Sequence, residues 1–157
     1  LKSIIDNKIK DARQIHRALI TVQDHLNDKN NDNQNNNMRL LRHLLEERFQ
    51  QILEIALTAL EPLCARNVIS IIRAGIRTLD ERHMANACEA LNSIPNQRLT
   101  QPLGQLIQDA YMHTHQTVTS STESIELALE SLATRSDTWL QECANSALLT
   151  LQRNNNG

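Results

Sequence analysis

The sequence predicts an all-α chain of about seven helices, and three observations predict it. Apolar residues recur at three- and four-residue spacing along most of the 157 residues, the signature of helices that bury one stripe. Aromatic residues make up only 2% of the chain, so the runs of aromatic and β-branched side chains that favour strands are scarce. Three glycines in the whole chain leave few of the turns that a many-stranded fold requires.

Residues 1–26 read as the first helix, with Ile5, Ile9, Ala12, Ile15 or His16, Leu19, Val22 and Leu26 along one stripe. Its charges, Lys8, Lys10, Arg13 and Arg17 against Asp6 and Asp11, are a mixed solvated face. Residues 27–37, NDKNNDNQNNN, hold seven asparagines in eleven positions. Asn and Asp side chains compete with the helix backbone, and nothing apolar repays ordering, so a flexible loop is expected. Its last residue, Asn37, is suited to cap the next helix.

The longest helix is expected over 38–61, with Met38, Leu41, Leu45, Phe49, Ile52, Ala56 and Leu60 on one face. Leu44, Leu53 and Leu57 widen that stripe enough for two neighbours, and Pro62 stops the helix at the residue before it. Shorter helices follow at 67–78 and 81–94, the second capped by Asp80 and ended by Pro95. Another begins around Thr100, with Pro102 in its first turn, and runs through Leu103, Leu106, Ile107, Ala110 and Tyr111. Residues 113–121 form a polar connector, where Ser120 and Glu123 have capping-box spacing. Helices at 122–134 and 137–152 complete the set, and the polar tail 153–157 should fray.

The chain has the length of one domain, taken as 1–152. Its net charge of −2 works against nucleic-acid binding, which favours a strongly basic face. No apolar run approaches the roughly 20 residues that cross a bilayer. The first residue is Leu1 with no secretory signal after it, so a segment of a larger polypeptide is expected. Cys64, Cys88 and Cys143, odd in number and each within an apolar pattern, read as buried small hydrophobes in a reducing compartment.

Sliding the sequence against itself by 56 residues exposes a repeat. Ile69, Ile72 and Ile76 fall on Ile125, Ala128 and Leu132; Met84, Ala87 and Leu91 fall on Leu140, Cys143 and Ala147; Asp80 falls on Ser136. Each unit is a helix, a short turn with a polar cap, and a second helix with small residues in its middle. Such a pair cannot bury both faces alone, which is the logic of an α-solenoid. The small residues of ANACEA, with Ala87 and Cys88, and of CANSA, with Cys143, are expected to let the second helices approach closely. Trp139, the only tryptophan, aligns with His83 just after the Ser136 cap. There an indole could wedge over the end of the core and seal the last pair.

The stretch SDTWLQECANSALLTL, residues 136–151, resembles the second-helix pattern of bacterial HEAT-like repeats. The order LLRHLLEERFQQILEIALTALEPL, VISIIRAGIRTLDERHMANACEALNSI and then the tryptophan helix is similar to one group in particular. That group is the soluble region of bacterial proteins with a membrane part resembling major-facilitator or ATP/ADP-translocase transporters, often with a cyclic-nucleotide-binding domain. The resemblance spans about 38–152 and implies a HEAT-like α-α superhelix on the cytoplasmic side of the bacterial inner membrane. It implies packing positions and no catalytic residue. The EPLCAR turn after Leu60 is shorter than is usual in that group, and the Asn-rich insert is foreign to it.

The remaining chemistry points the same way. His113 and His115 are separated by two and lack a third ligand at metal spacing; His16, His25, His43 and His83 lie singly on helices. Glu123, Glu126 and Glu130 line one helix face, as a solvated face does, while Glu46 and Glu47 point apart. No Gly-rich phosphate loop is present. Arg66, Arg73 and Arg77 share one side of a helix, with Arg82 and Arg98 following. They are the candidate interaction face, fitting an acidic protein partner at least as well as nucleic acid. The expectation is a non-enzymatic interaction and scaffold module with no cofactor or metal. The alternatives are a HEAT-like bilin lyase, which requires a groove for a tetrapyrrole, and a nucleic-acid-binding solenoid.

Overall fold

The computed structural model describes residues 1–28, 36–78, 80–115 and 124–155. Among them the ordered elements are all helical: α1 Lys2–Asp28, α2 Asn36–Leu60, α3 Arg66–Thr78, α4 Glu81–Asn92, α5 Gln97–His115, α6 Ile125–Ala133 and α7 Thr138–Asn155. A single 3-10 turn, Glu61–Leu63, follows α2 and carries Pro62, where proline's fixed φ suits the tighter turn.

Several boundaries move from their sequence expectations, each for a local reason. The Asn-rich loop is shorter at both ends, since α1 runs on to Asp28 and α2 begins at Asn36; the rest of that expectation lies outside the described residues. Asn37 is therefore no cap. It sits in the first turn of α2, and its Nδ2 donates to Ser146 Oγ at 3.0 Å and Thr150 Oγ1 at 3.2 Å, both on α7. Helix α4 ends at Asn92, where the Ser93 hydroxyl donates to the Ala90 carbonyl at 2.7 Å; Ile94 is buried beyond the helix end.

Helix α5 starts three residues early, with the Asn96 carbonyl accepting from Leu99 N–H at 3.0 Å and Thr100 N–H at 3.3 Å. Pro102 is then inside the helix instead of in its first turn. A proline there costs about 3 kcal/mol. Buried Leu99, Leu103, Leu106 and Ile107 flank it, and each such side chain contributes about 1.5–3 kcal/mol, so the stripe carries the helix through.

The expected Ser120 cap and Glu123 lie outside the described residues. The N-cap of α6 is Ser124, whose Oγ accepts Leu127 N–H at 3.4 Å and donates to Glu126 Oε2 at 3.0 Å. At α7 the cap is Asp137, one residue past the expected Ser136, with Oδ1 accepting Leu140 N–H at 3.3 Å. Helix α7 continues to Asn155, three residues into the expected tail, and the rest of that tail lies outside the described residues.

The chain divides into two compact units, and α1 and α2 each contribute to both. The first comprises Leu1–Arg13 and Gln50–Val118. Its core is Ile5, Ile9 and Ala12 of α1, Ile52, Leu53, Ala56, Leu57 and Leu60 of α2, and the stripes of α3, α4 and α5. The second comprises Gln14–Phe49 and Thr119–Gly157. Its core is built from Ile15, Leu19 and Val22 of α1, Met38, Leu41, Leu45 and Phe49 of α2, Ala128, Leu129 and Leu132 of α6, and Leu140, Ala144, Ala147 and Leu151 of α7.

Each unit contains one helix pair, α3 with α4 and α6 with α7. The 56-residue offset holds for the first helices, where Ile72 and Ala128, and Ile76 and Leu132, are buried alike. In the second helices two registers coexist: Met84 and Leu140, and Leu91 and Ala147, are buried alike at 56. The caps Asp80 and Asp137, and the buried pairs Ala87 and Ala144, Ala90 and Ala147, Ile94 and Leu151, are 57 apart. Two residues join α3 to α4, whereas four join α6 to α7, and one extra residue rotates a helical register by about 100°.

Candidate functional site

The arginine row expected on α3 does not form a shared outward face. Arg66 and Arg77 are exposed, but the Arg73 side chain is only 26% exposed and turns to α2. Its Nε donates to Glu54 Oε1 at 2.6 Å, its Nη1 lies 2.8 Å from Glu61 Oε1, and its Nη2 donates to Thr58 Oγ1 at 3.3 Å. The Glu61 hydrogen bond, ahead of Glu54, holds the guanidinium above its ordinary pKa despite the desolvation that opposes it. Arg73 is thus a strap between α3 and the end of α2. A planar fork bridging two carboxylates suits arginine and would be poorly served by lysine.

Within the first unit, α3 and α4 approach closely at Gly75 of α3. A Cβ built there would lie 2.5 Å from the Ala87 Cβ and 2.8 Å from the His83 carbonyl oxygen of α4. The small residue at Ala87, fully buried, permits this close approach. The crossing is between the two helices of one pair, where the expectation placed it between second helices. Local spacing alone assigns Gly75 no role. Its signal was available: a glycine on the buried stripe of a helix whose partner helix carries alanine.

The start of α4 is held by Asp80, whose Oδ1 accepts His83 N–H at 2.9 Å while Oδ2 lies 2.5 Å from His83 Nδ1. The backbone hydrogen bond from His83, followed by the contacts to its ring, holds the Asp80 carboxyl below the usual range.

In the second unit, α2 lies antiparallel to α7. Asn37 meets Ser146 and Thr150 at one end, and Arg48 pairs with Asp137 at the other. Asp137 consequently caps α7 and ties it to α2 with its two oxygens. The Arg135 guanidinium donates to Gln14 of α1 at 3.2 Å, and burial lowers its pKa while Asp137 opposes that shift. None of these long-range links was predictable from local spacing, because the partners are over a hundred residues apart, or nearly so, in the chain.

Trp139 is not a buried wedge. It is 72% exposed, the most exposed of the large apolar side chains among the described residues. The buried stripe of α7 is Leu140, Ala144, Ala147 and Leu151, and Trp139 precedes Leu140 by one residue, about 100° around the helix. Its aligned residue His83 is itself exposed. Leu149 is exposed on the same helix.

The cysteines are half-buried instead of buried, and all three are free. Burial raises the pKa of Cys64, Cys88 and Cys143, which keeps each thiol protonated and weakly nucleophilic. Cys64 also donates to the Leu60 carbonyl at 3.1 Å.

Among the histidines, His16 is buried beside Ile15 on α1. It stacks on Phe49 with ring centroids 5.3 Å apart and an interplanar angle of 27°. His113 is half-buried, and the His115 side chain lies outside the described residues. Among the described residues, no three His, Cys, Asp or Glu side chains are grouped to hold a metal ion, and no helix is long and apolar enough to cross a membrane. Glu126 and Glu130 are exposed, and Glu46 pairs with Arg42 at 3.6 Å. The polar side chains with the clearest geometry therefore join helix to helix or cap a helix. No protein-family model, curated protein or solved structure matches the chain.

Proposed function

We propose that the chain is a non-enzymatic helical-repeat module that holds other protein segments in position, as the cytoplasmic part of a larger bacterial transporter-like membrane protein. The observation that carries this reading is how the strongest polar groups are used. Arg73 joins α3 to α2, Asp137 caps α7 and pairs with Arg48, and Asn37 ties α2 to α7. The two capped helix pairs, equivalent at an offset of 56 to 57 residues, support a HEAT-like origin. Engagement of Arg73 by two carboxylates leaves a nucleic-acid reading without the middle of its arginine row.

In this reading the contact with a protein partner is made by exposed apolar side chains. Trp139 is the prime candidate, since tryptophan is enriched among the residues that dominate interface energies. It replaces Arg66, Arg73 and Arg77 as the first position to test. The test uses the fluorescence of this sole tryptophan. Adding the flanking domains of the parent polypeptide should blue-shift Trp139 emission and give saturable binding that W139A weakens at least tenfold. Saturable binding of a cyclic nucleotide, or turnover of a bilin by the isolated segment, would overturn the reading.

A further inference from the structure

We draw no further inference here: the strongest candidate, the exposed apolar flank of α7 at Trp139 and Leu149, carries nothing beyond the contact already proposed, because nothing in the structure shows what covers it.

Discussion

Replacing Gly75 by alanine should destabilise the protein, although helix propensity alone predicts the reverse. Alanine in place of glycine within a helix gains roughly 0.5–1 kcal/mol. At Gly75 the new methyl would sit 2.5 Å from the Ala87 Cβ and 2.8 Å from the His83 carbonyl oxygen. Carbon atoms meet comfortably at about 3.5–4.0 Å, so α3 and α4 would have to part by about 1 Å. The obstructing atoms are a Cβ and a backbone carbonyl, neither of which can rotate aside. Overpacking of this kind costs about 1–3 kcal/mol, and subtracting the propensity gain leaves a net loss of up to about 2.5 kcal/mol. Urea unfolding followed by far-UV circular dichroism measures it. Gly104 is the control: its Cβ would meet only Leu91 Cδ1, at 3.7 Å, so Gly104→Ala should stabilise by roughly 0.5–1 kcal/mol. If Gly75→Ala stabilised the protein as much as Gly104→Ala, the close crossing of α3 and α4 would be refuted.

Three further outcomes follow from the same geometry. Trp139→Ala should change stability by less than about 0.5 kcal/mol, because the side chain stands in solvent; acrylamide should quench its emission readily, and a loss of several kcal/mol would restore the buried wedge. A double-mutant cycle on Arg73 and Glu54 should return a coupling of about 0.2–1 kcal/mol that shrinks with added salt, since both partners keep water access; zero coupling at low salt would remove the strap. Asp80 has a depressed pKa in the folded state, so its contribution is present above the ordinary carboxylate range and is lost as pH falls through the depressed value. Stability curves of the parent and Asp80→Ala should therefore differ at neutral pH and converge in acid. Asp80→Asn, which can still cap, should retain more stability than Asp80→Ala with a weaker pH dependence.

Much of the helical inventory was legible because it is encoded locally. A stripe such as Ile69, Ile72 and Ile76 states its own period, and Asp80 before an apolar run states its own cap. Helix ends were less legible, for the decision there is made by packing: Leu99 and Leu103 bury well enough to draw the helix across Pro102. Existence of the helix pairs could be read from self-alignment, yet the single offset of 56 concealed the longer turn between α6 and α7. A difference of one or two residues is invisible in a degenerate apolar pattern, but each residue moves a side chain by about 100°. Reading the small residues correctly as a close-approach signal still left their partner unknown, since Ala87 and Gly75 meet only when α4 folds back on α3.

The functional residues divide along the same line. By itself the sequence determined an all-helical chain and which residue types were available: one tryptophan, three cysteines and a row of arginines on α3. Only the tertiary structure decided what those residues do. Helical spacing put Arg73 in line with Arg66 and Arg77, but the carboxylates of Glu54 and Glu61 on a neighbouring segment drew it inward. Hydrophobicity argued for burying Trp139, but the core face of α7 was already set by Leu140, Ala144, Ala147 and Leu151. The physical reason is common to both. Backbone periodicity is short-ranged and fixes each face relative to its own helix, whereas exposure and charge pairing depend on which other helix arrives at that face.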